Sequence, residues 1–316
     1  MLRRVLSFAS RGRLSILVFH RVLALPDPLL PGEPSAQEFE SLLLHIKDRY
    51  TVVSLASGIQ ALKDGSLPPS AVAITFDDGY ANNLEVAGAL LLRHRIPATV
   101  FVATGYLDGG CMFNDAVIHA IRETTAPTLD LGALNMPAWP LTSIEDRRRA
   151  VGDILDRVKH LPFDERARRV QGILKAARVE RPHGLMLTRD ALRQLPRSGF
   201  DVGAHTVNHP ILKKTALEVA RREICDAKDE LESLLGRPVT LFAYPNGKPG
   251  EDYGPEHVRM VRDAGYVGAV TGVWGAARRG DDPFQLPRFT PWTRQPLKFD
   301  LLMLRNLRQA PVLEAA

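Results

Sequence analysis

Seven runs of apolar and β-branched residues recur along the chain, and each run is nearly continuous rather than alternating with polar residues. The runs cover residues 14–20, 50–55, 71–76, 98–104, 200–206, 240–245 and 266–272. Continuous apolar runs of this length are typical of parallel strands that are covered on both faces. The pattern therefore predicts about seven parallel strands.

Helical patterns lie between several of these runs. Apolar residues recur at helical spacing over residues 84–94, 216–235 and 255–264, and Thr188 is a suitable N-cap for a short helix before Gly199. Strands that alternate with helices predict βαβ units and an α/β fold. The length of 316 residues fits one barrel-sized domain, so we expect a single domain over residues 1–316.

Two regions depart from this alternation. Strand signals stop between residues 111 and 184, where two charged amphipathic helices are predicted, so we expect a helical insertion that faces the substrate. The tail over residues 295–316 mixes leucines with basic residues. We expect this tail to be a terminal helix docked on the core, and contact with a membrane surface is the alternative.

Composition excludes several classes of protein. The net charge of +5 comes from scattered basic clusters without interleaved aromatic residues, which favours a solvated surface over nucleic-acid binding. Cys111 and Cys225 are far apart, so neither a disulfide framework nor a thiolate zinc site is expected. The chain shows no apolar stretch of about 18 residues and no clear signal peptide, so we expect a cytoplasmic protein, with membrane association through the tail as the alternative.

Polar residues fall where the predicted strands end. His20 follows the first run, Asp77 and Asp78 follow the third, His205 follows the fifth, and residues 245–247 follow the sixth. The carboxyl ends of parallel strands lie on one face of a sheet or barrel, so we expect these residues to converge. Two adjacent carboxylates repel each other and are costly to bury, and a bound cation offsets both effects.

The spacing of His205 and His209 supports a cation site. If the segment is helical, both imidazoles lie on one face and can share a metal ion. A carboxylate from another strand completes a set of two histidines and one carboxylate, which leaves positions open for water and substrate. The second carboxylate can then remove a proton from water as a general base. An ordinary turn is the alternative for the Asp-Asp-Gly sequence, because these residues favour turns.

The stretches TFDDGY, HTVNHP and FAYPNG together resemble the NodB-type polysaccharide deacetylases, the fourth carbohydrate esterase family, over about residues 15–292. The resemblance implies a distorted (β/α) TIM-like barrel with a divalent metal ion, usually Zn²⁺. It also implies that Asp77 is the general base and that Asp78, His205 and His209 are the metal ligands.

The third family motif is altered in this chain. The family normally has Arg-x-Pro-Tyr, in which the Arg orients the base and a backbone N–H binds the oxyanion, whereas here Ala243 and Asn246 replace the Arg and the Tyr. The resemblance therefore implies that the backbone N–H of Asn246 keeps the oxyanion role, which is typically worth a few kcal/mol. Arg288 is the candidate to replace the missing Arg, and a surface arginine is the alternative.

The last family motif, a strand that ends in a general-acid histidine, is absent near the C-terminus. Residues 15–20 resemble that strand moved to the front, as in the permuted branch that acts on poly-N-acetylglucosamine and related exopolysaccharides. His20 would then protonate the leaving amine, and a packed core histidine is the alternative. Aromatic residues that are candidates for stacking on sugar rings, or for ordinary packing, are Tyr80, Tyr244, Trp274 and Trp292.

The resemblance implies a hydrolase that removes acetyl groups from an N-acetylated saccharide and releases acetate. Two alternatives stay open. The same barrel could hydrolyse a non-sugar or cyclic amide, because the altered third motif leaves room for another substrate. The chain could also be a saccharide-binding homologue without activity, although all the ligand residue types are present.

Overall fold

The computed structural model describes residues 8–291, 293 and 295–309. The strands are β1 Arg13–Phe19, β2 Thr51–Val52, β3 Ala71–Phe76, β4 Ala98–Val102, β5 Thr128–Asp130, β6 Ala138–Pro140, β7 Phe200–Ala204, β8 Leu241–Ala243, β9 Gly268–Val270 and β10 Ala277–Arg278. The α-helices are Ala36–Arg49, Leu55–Asp64, Ala89–His94, Phe113–Glu123, Ile144–Val158, Phe163–Ala177, Arg189–Gln194, Leu217–Leu235, Pro255–Asp263 and Pro296–Arg308.

Seven of the described strands form a curled parallel sheet, which confirms the predicted α/β barrel-like fold. The order is β1, β3, β4, β7, β8 and β9, with β2 paired to the start of β3 and β10 antiparallel to β1. Every residue of β3 and β4 is buried, because the sheet is covered on both faces. This burial explains why the strand runs are apolar throughout.

The segment 286–289 bridges the two end strands of the sheet. Leu286 exchanges backbone hydrogen bonds with β9, since its N–H donates to Ala269 and its carbonyl accepts from Thr271. Phe289 does the same with β1, where it bonds Ile16 and Val18. The segment therefore joins β9 to β1 and places Arg288 between them.

Several sequence predictions are corrected by the structure. The insertion contains a short antiparallel hairpin, β5 and β6, although we expected no strand there. The run at residues 50–55 forms only the two-residue strand β2 at the edge of β3. The helix expected from residue 84 begins as the π-helix Asn83–Gly88 before the α-helix Ala89–His94. These pieces are short, so local sequence patterns carry little information about them.

The helical insertion has an apolar core of its own and is tied to the sheet by a buried acid. Asp115 accepts a hydrogen bond from the Tyr80 hydroxyl at 2.8 Å and forms a 3.0 Å ion pair with Arg21. Asp115 is 4 % exposed, so both contacts are shielded from water. The residues at the core of the insertion include Val117, Ile121, Ile154, Ile173 and Leu174.

The helix Pro296–Arg308 docks on the core, as expected for the described part of the tail. Phe299, Met303 and Leu307 are buried. Asp300 accepts a 2.8 Å hydrogen bond from the Tyr50 hydroxyl, which fixes the helix to the one that ends before Tyr50. Among the described residues, no helix combines the length and apolar character needed to cross a membrane.

Candidate active site

The turn after β3 places the two aspartates side by side in a constrained backbone. The N–H of Asp77 donates to the Phe19 carbonyl at 3.0 Å, which ties it to β1. Asp78 and Gly79 have φ of 76° and 85°, in the left-handed region that aspartate tolerates and glycine favours. A Cβ on Gly79 would meet Val102 at 3.1 Å, so the glycine also permits close contact with β4.

His205 and His209 stand on a tight loop after β7, not on the helix that their spacing suggested. Thr206 and His209 have φ of 65° and 51°, so the chain reverses direction within the loop. The Nε2 atoms of both histidines lie 3.6 Å from Oδ1 of Asp78. The loop therefore brings both imidazoles to Asp78, as one face of a helix would have done.

Glu223, which the sequence interpretation missed, holds this histidine loop in place. Its Oε2 accepts hydrogen bonds from the backbone N–H groups of Val207 at 2.9 Å and Asn208 at 2.7 Å. Its Oε1 accepts from the Asn208 side chain at 2.7 Å. A usable signal was present: Glu223 shares the buried face of the helix Leu217–Leu235, and a buried acid needs partners.

Asp78, His205 and His209 form a donor set that suits a divalent cation. One ligand atom from each lies within 4.8 Å of the others. Nδ1 of His205 is 2.7 Å from the Ala243 carbonyl and donates to it, which leaves Nε2 as the lone-pair donor facing Asp78. Two nitrogens and one carboxylate oxygen match the chemistry of zinc and similar metal ions.

Burial shifts the protonation of all three groups toward neutral forms. Burial raises the pKa of Asp78 to about 7, although the nearby His20 opposes this, and the neighbouring Asp77 adds to the increase. Burial also lowers the pKa of His205 to about 4, and that of His209 well below its usual range. A cation at this position would favour the anionic carboxylate and the neutral imidazoles, which are the forms that bind metal.

Arg288 is fully engaged with Asp77 inside the sheet. Its Nη1 and Nη2 donate to the two carboxylate oxygens of Asp77 at 2.6 and 2.7 Å, and its Nε donates to the Thr271 carbonyl at 2.8 Å. Burial alone would raise the pKa of Asp77, but the Arg288 charge and neighbouring imidazoles hold it below its usual range. The alternative of a surface arginine is therefore wrong, since Arg288 is 3 % exposed.

These residues line one cleft of about 340 Å³ together with His20 and Asn246. The carbonyl of His20 accepts a 2.8 Å hydrogen bond from the buried Asn83 side chain. Asn246 has a φ of 58°, and its backbone N–H donates to no other described residue. An unpaired N–H in a cleft is available to an incoming oxygen.

The candidate sugar-stacking residues are mostly committed to packing. Tyr80 is buried, and Tyr244 stacks on Tyr253 with ring centroids 3.9 Å apart. Trp274 is half-buried with its ring edge-on to Phe289. Trp292 lies outside the described residues.

A second cavity of about 410 Å³ adjoins the cleft. The two share Val18, His20 and Thr290 in their linings, so His20 stands at the boundary between them. The second cavity is otherwise lined by residues 31–34 and by the start of the C-terminal helix, including Lys298.

Comparison with known proteins identifies the class to which this fold and cleft correspond. The family model for polysaccharide deacetylase matches residues 64–269, so the chain belongs to the polysaccharide deacetylase family and is a hydrolase of that class. The Bacillus subtilis protein YxkH, whose name assigns it to polysaccharide deacetylases, is 20% identical over 279 residues, which cover 88% of this chain and 71% of YxkH.

Solved structures of other deacetylases share the fold. The Streptococcus pyogenes deacetylase PplD, solved in complex with acetate, superposes with a TM-score of 0.61 at 20% identity, covering 92% of this chain and 97% of PplD. IcaB from Ammonifex degensii gives a TM-score of 0.60 at 18% identity, with the same coverage of 92% and 97%. These likenesses support the fold.

Proposed function

We propose that this protein hydrolyses the acetamide group of an N-acetylated saccharide and releases acetate. The observation that carries the proposal is the proximity of two functional units in one cleft. The first is the set of cation ligands Asp78, His205 and His209, and the second is Asp77 held by Arg288. A cation site beside a fixed carboxylate is suited to the hydrolysis of an unreactive amide, because the cation activates water and the carboxylate takes its proton.

Asp78, His205 and His209 would hold the divalent cation, for which zinc suits the donor types. When bound, the ion supplies positive charge that polarises a carbonyl oxygen and lowers the pKa of water. The three donors come from the ends of β3 and β7, two strands separated by β4 in the sheet. Asp78 and His205 closely follow strands, and His209 lies on the loop that Glu223 holds in place.

Asp77 acts as the general base in this proposal. Arg288 bonds each carboxylate oxygen once, which fixes the plane of the group and leaves a lone pair on each oxygen for a proton. The low pKa keeps Asp77 ionised at neutral pH, so it can accept the proton of the attacking water. The water oxygen then bonds to the acetamide carbon.

Asn246 and His20 act on the other atoms of the acetamide. The backbone N–H of Asn246 donates to the carbonyl oxygen as negative charge develops on it, and such a donor is typically worth about 3 kcal/mol. His20 donates a proton to the nitrogen as the C–N bond breaks. The products are acetate and the free amine of the sugar.

The shape of the site supports a saccharide over a small cyclic amide. A second cavity lies next to the cleft on the other side of His20, where a neighbouring sugar could bind. The altered third motif left room for a cyclic amide. Arg288 lies beside Asp77 and supplies the arginine that this motif lacks, which supports the saccharide.

Two substitutions test the division of roles. Asp77→Asn is expected to keep the metal, measured by elemental analysis, and to reduce acetate release from N-acetylated chito-oligosaccharides by about 10²- to 10⁴-fold. Asp78→Asn is expected to lose both the metal and the release of acetate. Asp226→Asn, an exposed aspartate on the helix Leu217–Leu235, is the matched control and is expected to change neither. Full activity in the Asp77 variant would remove the proposed base.

A further inference from the structure

The helical insertion contributes one wall of the cleft. Residues 112–114 line it at the start of the helix Phe113–Glu123, and Leu155 and Lys159 line it at the end of the helix Ile144–Val158. The metal-ligand candidates His205 and His209 line the same cleft. The insertion is therefore placed to contact the parts of the substrate that surround the acetamide.

Lys159 is a positive charge in this wall that the protein does not neutralise. Its side chain is half-buried, and it forms no salt bridge with any residue that the structure describes. Arg288, the other lysine or arginine among the described lining residues, is fully used by Asp77 and Thr271. Lys159 is thus the cation of the cleft that remains available to a ligand.

Asp252, whose pKa Lys159 influences, forms no ion pair with Lys159. Asp252 lies beyond ion-pair distance of Lys159, and its carboxylate accepts a 2.9 Å hydrogen bond from the Lys248 backbone. Burial raises the pKa of Asp252, and the Lys248 backbone hydrogen bond and the Lys159 charge only partly oppose this. The ammonium of Lys159 therefore keeps donors for another partner.

A second unneutralised charge lies behind the same wall. Arg166 is 4 % exposed, and within the described ranges it has no carboxylate at ion-pair distance. Its guanidinium lies 4.5 Å from the ring of Phe113, and its Nη1 donates to the Lys159 carbonyl at 3.4 Å. A buried arginine without a counter-ion is costly in free energy, and an anion bound nearby would offset part of that cost.

We propose that Lys159, with Arg166 behind it, binds an anionic group carried by the saccharide beside the acetylated sugar. The group would be a phosphate or a carboxylate, because both accept hydrogen bonds from an ammonium and carry negative charge. This inference rests on the proposed function and narrows its substrate class to acidic N-acetylated saccharides. The insertion then selects the substrate, whereas the barrel carries out the reaction.

The test compares three oligosaccharides of the same length: a neutral N-acetylated one, one with a single phosphoryl group, and one with a single uronate. Titration calorimetry on the full chain measures binding, and acetate release measures kcat/KM. We expect an anionic chain to bind about tenfold more tightly than the neutral chain at low salt, with a smaller difference at high salt. The relative affinity of the phosphoryl and uronate chains identifies which anion the site takes.

Variants assign the preference to Lys159. Lys159→Gln is expected to remove the preference for the anionic chains while binding of the neutral chain stays unchanged, and Lys159→Arg is expected to retain it. Lys175→Gln is the matched control, because Lys175 is an exposed lysine of the same insertion outside the cleft, and it should keep the full preference.

Two outcomes would overturn the inference. One is equal binding of neutral and anionic chains by the unmodified protein. The other is an equal loss of binding for the neutral and the anionic chains in Lys159→Gln. That result would show that Lys159 supports the fold near Asp252 and does not bind a ligand. A binding preference without acetate release from any chain would instead overturn the proposed activity and leave the anion site standing.

Discussion

The pair of Arg288 and Asp77 shows how one buried contact supports both stability and chemistry. The two residues are separated by 211 positions in the chain and are joined by two hydrogen bonds of 2.6 and 2.7 Å. Bidentate arginine–carboxylate pairs are among the strongest hydrogen-bonded contacts in proteins. Removing one partner leaves the other as an uncompensated buried charge.

Arg288→Met is expected to lower the free energy of unfolding by about 3–5 kcal/mol at pH 7. The reason is that Asp77 would stay buried without its counter-ion. In the folded protein the pKa of Asp77 lies below its unfolded value of about 3.9. The ion pair with Arg288 therefore contributes stability that is present above about pH 3.9 and is lost as the pH falls further. The difference between the variant and the unmodified protein should therefore shrink below about pH 4, as measured by urea denaturation.

The matched control is Arg259→Met, at an exposed arginine on the helix Pro255–Asp263. It removes the same kind of side chain and the same charge, and we expect the free energy of unfolding to change by no more than about 0.5 kcal/mol. A similar stability loss in both variants, or a loss at Arg288 that does not change with pH, would contradict the role assigned to the ion pair.

At the scale of single elements, the histidine loop depends on its neighbours for its shape. Glu223 bonds two backbone N–H groups and one side chain of the loop. Gly105 packs against it so closely that a Cβ would meet the Val207 carbonyl and the Asn208 side chain at 2.8 Å. The loop is thus fixed by a helix on one side and by the end of β4 on the other.

Glu223→Gln is expected to weaken zinc binding by about 10- to 100-fold, because groups that orient metal ligands typically contribute that much. The amide of glutamine offers one acceptor oxygen, so it cannot accept all three hydrogen bonds that Glu223 accepts now. Competition with a chromogenic chelator measures the affinity, and circular dichroism checks that the fold is retained.

Glu218→Gln on the same helix controls for the loss of one negative charge. Glu218 is exposed in the first turn of the helix, so its substitution should leave the zinc affinity unchanged. An unchanged affinity in the Glu223 variant would mean that the loop keeps its shape without this acid.

The elements also show what the sequence can and cannot predict. The positions of Asp77, Asp78 and His205 just after strands could be predicted, because strand ends are readable from apolar runs and parallel strands share one face. The left-handed turns at Thr206 and His209 were missed, since spacing alone favours a helix. The contact of Arg288 with Asp77 has no local signal, because only the bridging position of residues 286–289 between β1 and β9 creates it.

At the scale of the whole molecule, the barrel gathers groups whose buried charges are unfavourable until a cation is present. Asp78 and both histidines lie at the ends of strands in the same sheet, so a bound ion would link β3 to β7. An ion that binds the folded chain and not the unfolded chain shifts the unfolding equilibrium by mass action. The free energy of unfolding of the whole fold should therefore increase when a cation occupies the site.

Zinc at about 100 times its dissociation constant should stabilise the protein by about 2.7 kcal/mol and raise Tm by about 4 °C over protein treated with a chelator. Scanning calorimetry of the same sample before and after chelation measures the shift. Asp78→Asn should show almost none of it, because the remaining imidazoles lack the carboxylate that balances the ion charge. An equal rise in Tm for this variant would place the stabilising ion elsewhere on the molecule, and the strand-end cluster would lose its assignment as the cation site.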